Sequence, residues 1–156
     1  MLRPTVPADD AALLILARDT GVFRPIEITA LEEVLRDYHA HNRALGHQCV
    51  TCLDDGRIVG FAYFAPAAMT DRTWYLYWIA VSKQLQARGI GAQMLRHCET
   101  AIREAGGRLL LIETSSLPHY DLTRKFYLKH GYQTAALLPD YYADGDDMVV
   151  FGKRMR

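Results

Sequence analysis

Trp74-Tyr75-Leu76-Tyr77-Trp78-Ile79-Ala80-Val81, followed closely by Gln86-Ala87-Arg88-Gly89-Ile90-Gly91, is the stretch that decides the fold of this chain. The first run is apolar, aromatic and β-branched, as a buried strand requires, and the second leads straight into a helix. Gly89 and Gly91 let the backbone turn tightly and approach a ligand closely. The first N–H groups of the helix have no intrahelical acceptor and carry the positive end of its dipole, so strand, turn and helix start together form an anion cradle suited to a pyrophosphate.

Outward from this stretch, the elements follow in order. Leu13, Leu14, Leu16 and Ala17 give a helical stripe over about residues 8–19. Thr29-Ala30-Leu31-Glu32 has capping-box spacing, and Leu31, Val34, Leu35 and Tyr38 continue it, which predicts a second helix over 30–44 ending at Gly46. Residues 47–53 and 57–65 are β-rich and are joined by the hairpin signal Asp54-Asp55-Gly56, and 73–81 is the next strand. After the glycine turn, Met94, Leu95, Cys98, Ala101 and Ile102 form one helix face, closed by Gly106-Gly107. Residues 108–114 read as a buried strand. Phe126-Tyr127-Leu128 sit in a short helix closed by Gly131, and 132–138 and 147–155 form a closing strand pair. A short strand at 2–5 completes an α+β (mixed α/β) order, with a mixed sheet flanked by helices.

The 156 residues, half of them apolar, suffice for one core, so a single domain over 1–156 is expected. Lys plus Arg and Asp plus Glu both number 18, so no global field favours nucleic acid or an anionic membrane as partner. The apolar run Ala11 to Ala17, preceded by Asp9 and Asp10 and followed by Arg18, fits neither a signal peptide nor a membrane span, and a cytoplasmic location is the expectation. Cys49, Cys52 and Cys98 are too few for a disulfide scaffold. Cys49 and Cys52 have the spacing of metal ligands, with His39, His41 and His47 nearby. If 47–53 is a strand, however, that spacing puts the two sulfurs on opposite faces, and no metal is expected.

Gly89-Ile90-Gly91-Ala92-Gln93-Met94 is a poor dinucleotide fingerprint, because Met94 stands where a third glycine belongs and no N-terminal βαβ unit precedes it. A Walker-type loop would need Gly-Lys-Ser/Thr. The pattern Gln/Arg-x-x-Gly-x-Gly/Ala after Ile79-Ala80-Val81, with Lys125-Phe126-Tyr127-Leu128-Lys129-His130-Gly131-Tyr132 further on, resembles the GNAT superfamily of acetyl-CoA-dependent N-acyltransferases. The resemblance implies a GNAT-like domain, with a mostly antiparallel mixed sheet whose fourth and fifth strands splay to admit acetyl-CoA. It places the backbone of Ile79, Ala80 and Val81 along the pantetheine arm. Gln86, Ala87, Arg88, Gly89, Ile90, Gly91 and Ala92 then hold the pyrophosphate, Arg124 reaches a phosphate, and the thioester lies between Trp78-Ile79-Ala80 and Glu113-Thr114-Ser115.

Acyl transfer to an amine poses two proton problems. An alkyl amine of pKa about 10.4 is neutral in about one molecule in a few thousand at pH 7, a cost of roughly 4–5 kcal/mol. A base is wanted, and Glu113, closing an apolar strand, is the first candidate, ahead of Glu27 and then His119, with a base working through a water chain as an equal alternative. The leaving thiolate benefits from an acid. Tyr127 takes that role by resemblance, the competing role being a ring packed under the sheet. Phe23, Glu27 and Tyr142, with Tyr38, Tyr141, Asp144, Asp146 and Asp147, fall where the family lines its acceptor side. Asp144 to Asp147 read first as a solvated turn, and Tyr141-Tyr142 also fit edge packing or a dimer contact. Relatives that acetylate protein N-termini usually follow the fifth strand with a short Ser/Ala-Asn connection. Here Ser115-Ser116-Leu117-Pro118-His119-Tyr120-Asp121 is longer and lacks Asn. The expectation is therefore an N-acetyltransferase acting on a small-molecule primary amine by direct attack in a ternary complex. The alternatives are a protein or peptide N-terminal or lysine acetyltransferase and a non-catalytic coenzyme A-binding regulatory domain. A homodimer is among the assemblies the superfamily adopts.

Overall fold

The computed structural model describes residues 1–156. Its strands are β1 (Leu2–Pro4), β2 (Gln48–Asp54), β3 (Arg57–Pro66), β4 (Thr73–Val81), β5 (Leu109–Ser115), β6 (Gln133–Ala143) and β7 (Asp146–Arg154). Its helices are α1 (Asp10–Asp19), α2 (Pro25–Ala40), α3 (Ile90–Glu104) and α4 (Asp121–Lys129). The strand order is β1-β2-β3-β4-β5-β7-β6, a mixed sheet in which β4 and β5 run parallel and the pairs β1/β2, β2/β3, β5/β7 and β6/β7 run antiparallel. No helix is long and apolar enough to cross a membrane. The residues group into two compact units, Met1–Ala65 with Trp78–Cys98, and Pro66–Tyr77 with Glu99–Arg156.

In the first unit, the stripe Leu13, Leu16 and Ala17 of α1 and Ile28, Leu31 and Leu35 of α2 pack on Cys49, Phe61, Tyr63 and Ala80 of the sheet. A separate cluster of Cys52, Val59 and Met94, with Ile79, Val81 and Ile90 against it, brings the start of α3 onto the other side. Cys49 and Cys52 therefore lie in different clusters, as strand alternation demands. The β2–β3 hairpin turns at Asp55 (φ 51°) and Gly56 (φ 76°), the paired left-handed conformations of a type I′ turn. Asp9 is buried and accepts two bonds from Arg3 (2.7 and 2.9 Å) and one from the Val6 N–H (2.9 Å), which ties β1 to the start of α1.

The second helix corrects the expectation from Thr29. Helix α2 begins at Pro25, whose missing N–H and fixed φ suit the first helical position, and the N3 carboxylate of Glu27 accepts the Arg24 N–H at 3.1 Å. Glu27 thus belongs to the start of α2. The helix also stops earlier, at Ala40, and a 3-10 turn over Asn42–Leu45 carries the chain to Gly46 (φ 97°).

In the second unit, β5 is the central strand, paired with Thr73–Leu76 of β4 on one side and with β7 on the other. A Cβ on Gly107 would stand 2.3 Å from Ile102 Cγ2 and 3.0 Å from Trp74, so only glycine lets β5 leave α3 this closely. Glu99 of α3, buried, accepts from Tyr132 Oη (2.6 Å) and Lys153 Nζ (3.0 Å), and Lys153 also donates to the His130 carbonyl (3.0 Å). Strand β6 runs to Ala143, five residues beyond its expected end at 138. Its pairing with β7 breaks at Leu138 and resumes at Ala143, and Asp140 (φ 57°) lies in the break. A bulge rather than a turn interrupts it.

Candidate active site

The turn before α3 differs in detail from its sequence-based description. The left-handed residues are Ala87 (φ 68°) and Gly89 (φ 80°), while Gly91 is the second residue of the helix. Alternating hand along successive residues makes a concavity of N–H groups, and an L-residue such as Ala87 adopts it at a cost of roughly 1–2 kcal/mol. The first helical bond runs from Gln93 N to Gly89 O (3.0 Å), leaving the N–H groups of Ile90, Gly91 and Ala92 without intrahelical acceptors. Nothing lies within 4 Å of a Cβ built on Gly89. Residues Gln86 to Gly89 are exposed, and the Gln86 amide donates to the Val81 carbonyl at 3.3 Å, which ties the turn back to β4 instead of leaving that side chain free. These features fit an anion.

Along β4 the side chains alternate. Ile79 and Val81 join the cluster under α3, whereas Trp78 and Ala80 face the α1–α2 layer. Phe23, between α1 and α2, packs its ring on Trp78 at 5.4 Å. A Cβ on Gly60 would stand 3.0 Å from the Ala80 carbonyl and 3.0 Å from Met94, so β3 approaches this part of β4 closely. The parallel ladder of β4 with β5 runs from Thr73/Leu109 to Leu76/Ile112 and ends there, although β4 continues to Val81 and β5 to Ser115.

In the second unit, Glu113 follows Ile112, the last residue of β5 paired with β4, and stays paired with Val150 of β7. Its side chain is exposed, yet partial burial pushes its carboxyl above the ordinary carboxylate range. Thr114 is buried and its hydroxyl has no hydrogen-bond partner, an uncommon state for a buried polar atom. Ser115 Oγ donates to the buried Asp146 carboxylate (2.5 Å) and accepts from Leu117 N (3.0 Å). Asp146 is thus a buried anchor, not part of a solvated turn. Tyr127 of α4 is buried, with rings of Phe126 (5.5 Å), Phe151 (5.7 Å) and Tyr132 (5.9 Å) around it. Arg124 donates to the carbonyls of Ser115 (2.6 Å) and Leu117 (3.1 Å), clasping the connection after β5 rather than projecting into solvent. His119 is exposed, and Tyr142 is half-buried against Tyr141 at 5.0 Å.

Residues 46–134, more than half of the chain, match the model of the acetyltransferase (GNAT) domain. The chain belongs to the GNAT acetyltransferase family. It spans less than two thirds of the length of the curated relatives that it matches. An uncharacterized N-acetyltransferase of Methanocaldococcus jannaschii is 31% identical over 103 residues, 64% of this chain and 62% of that protein. A GNAT family protein from Desulfovibrio desulfuricans superposes over 100% of this chain and 99% of its own, with TM-score 0.95 and 32% identity. An aminoglycoside 6'-N-acetyltransferase complexed with coenzyme A shares the fold (TM-score 0.80, 18% identity, 100% and 97% covered). So does the ribosomal-protein-S18-alanine N-acetyltransferase from Escherichia coli (TM-score 0.80, 17% identity, 99% and 93% covered). The GNAT fold is thus established, while small-molecule and protein enzymes share it equally.

Several participants carry no motif in the sequence. Arg124 was visible as an arginine but not as a loop clasp, and the Ser115–Asp146 bond joins residues 31 apart. A period-two signal places Tyr75 and Tyr77 on one strand face, and their stacking (5.4 Å, 23°) is the consequence.

Proposed function

We propose that the chain, as one domain over 1–156, transfers an acetyl group from acetyl-CoA to the primary amine of a small molecule by direct attack. The observation that carries the donor side is the turn of Ala87 and Gly89 opening onto the unsatisfied N–H groups of α3. Gln86 to Ala92 hold the pyrophosphate through backbone N–H groups, with Arg88 adding charge. The backbone of Ile79 to Val81 pairs with the amides of the pantetheine arm. Arg124 serves the donor indirectly, by fixing the connection after β5, with a phosphate contact open to its remaining N–H groups.

Glu113 takes the proton of the acceptor ammonium, and its raised pKa, caused by burial, matches it to that task. The neutral nitrogen attacks the thioester carbonyl carbon, the C–S bond breaks, and the thiolate leaves with a proton from the Tyr127 phenol. Three aromatic rings hold the Tyr127 ring in place, as the competing packing role also requires, so the acid role rests on the family resemblance and on the Tyr127→Phe test. Phe23 and Tyr142 line the acceptor. Glu27 contributes less directly, because its carboxylate caps α2 and pairs with Arg24 (2.9 Å). The long connection Ser115 to Asp121 without Asn favours the small molecule over a protein N-terminus. An edge strand β6 with Leu137, Leu138 and Tyr141 each about half exposed is the surface we assign to a homodimer contact.

Thiol release from acetyl-CoA, measured against panels of small amines and of peptides, tests the assignment. Turnover with small amines, falling at least tenfold in Tyr127→Phe, is expected. Turnover with peptides alone would move the substrate class, and acetyl-CoA binding without turnover would make the chain a coenzyme A sensor.

A further inference from the structure

The face of the second unit that carries Glu113 has a composition that the donor chemistry does not use. Tyr75 pairs with Leu111 in the parallel ladder, so two residues farther along each strand Tyr77 and Glu113 emerge on the same face. The rings of Tyr75 and Tyr77 stack at 5.4 Å and 23°, with Tyr75 half-buried and Tyr77 51% exposed. On the other side of β5, Glu113 lies opposite Val150 and Leu111 opposite Gly152. The neighbours that the register gives this carboxylate are thus two tyrosines, a leucine and a valine, and none is a cation. Both phenols are pushed up, first by burial; the Glu113 charge comes next for Tyr75 and, after Tyr75 itself, for Tyr77, which places the carboxylate within electrostatic reach of both rings.

A carboxylate on an apolar and aromatic floor, without a cationic neighbour from its own ladder, is complementary to a cation from solution. Tyrosine faces attract an ammonium through the ring quadrupole, and the carboxylate adds charge and a hydrogen-bond acceptor. We propose that Tyr75, Tyr77 and Glu113 form the acceptor subsite and that they select a protonated primary alkyl amine. The proposal rests on the acetyltransferase function and names its substrate class. The ammonium docks on the tyrosine rings, transfers one N–H proton to Glu113, and attacks as the neutral amine. An amine that carries its own carboxylate is disfavoured there, because its charge meets that of Glu113. An aryl amine, uncharged at neutral pH, gains nothing from either group. Tyr75 and Tyr77 are binding residues, whereas Glu113 both binds and removes the proton.

The test uses n-pentylammonium, 6-aminohexanoate and aniline as probes, with calorimetric binding to the coenzyme A-saturated protein and KM in the acetyl transfer assay. Pentylammonium is expected to bind, and the other two to bind at least tenfold more weakly. Tyr77→Leu should raise the pentylamine Kd and KM about 2- to 30-fold without changing the acetyl-CoA affinity. Tyr77→Phe, which keeps the ring, should restore most of the loss, and Glu113→Gln should abolish the preference over 6-aminohexanoate. Absence of pentylammonium binding, equal binding of aniline, or an unchanged Kd in Tyr77→Leu would overturn the subsite while leaving the acetyltransferase function standing. Failure of acetyl-CoA itself to bind would instead remove the function on which the subsite rests.

Discussion

Glu113 shows how one residue couples stability to chemistry. Burial raises its pKa in the folded protein, so the native state holds the proton more tightly than the unfolded chain. Folding stability is therefore lost as pH rises from the unfolded to the folded pKa, and the ionised form needed for base catalysis appears over that same interval. Two outcomes are expected of Glu113→Gln. The acid limb of kcat/KM, lying above the ordinary carboxylate range in the natural protein, disappears together with most of the turnover. The midpoint of urea unfolding at pH 7 rises, because a charge disfavoured by its surroundings has been removed. A variant that loses turnover but unfolds at lower urea would show that Glu113 is a structural carboxylate.

Among the elements, two junctions are instructive. The turn into α3 holds Ala87 at φ 68° in a position glycine adopts without strain. Ala87→Gly should stabilise the protein by about 0.5–1 kcal/mol in urea unfolding, net of the entropy that glycine adds to the unfolded chain, and a destabilised variant would refute the assigned strain. At the junction of β1 and α1, hydrogen bonds from Arg3 above all, and from Val6 and Thr51, hold the Asp9 carboxyl at about 2. A depressed carboxylate stabilises fully above its unfolded pKa and ceases to do so as pH falls through the folded value. Asp9→Asn should therefore cost about 2 kcal/mol at pH 7, a difference that disappears between about pH 4 and pH 2. Most elements are legible because their signals are local: the apolar, aromatic and β-branched run of 73–81, the Asp55-Gly56 turn, and the helix stops at Gly106 and Gly131. The start of α2 was misread because Thr29-x-x-Glu32 imitates a cap, while the decisive signal was Pro25 with Glu27 two residues on. The end of β6 was missed because Pro139-Asp140 reads as a chain break, yet the break is a bulge held by β7.

Across the whole molecule, the donor side was far more legible than the acceptor side, for a physical reason. A pyrophosphate needs backbone N–H groups at a glycine turn, which leave a short contiguous signature at 86–92. An amine needs only side chains brought together by register, and Tyr75, Tyr77 and Glu113 are 38 residues apart from first to last. Buried pairs such as Glu99 with Tyr132 and Lys153 are equally silent in sequence, because their partners are set by packing. The central claim, that this chain binds acetyl-CoA at the turn before α3, is tested most directly by thermal unfolding of the natural protein and of Gly89→Asp across an acetyl-CoA titration. Gly89 is left-handed with open space around it, so Asp adds local strain and a negative charge facing the pyrophosphate without a core clash. At 100-fold excess over Kd, acetyl-CoA should stabilise the natural protein by about 2.7 kcal/mol, a rise of roughly 5–10 °C in Tm, and leave Gly89→Asp unmoved. An unchanged Tm in the natural protein, or an equal rise in both, would contradict the account.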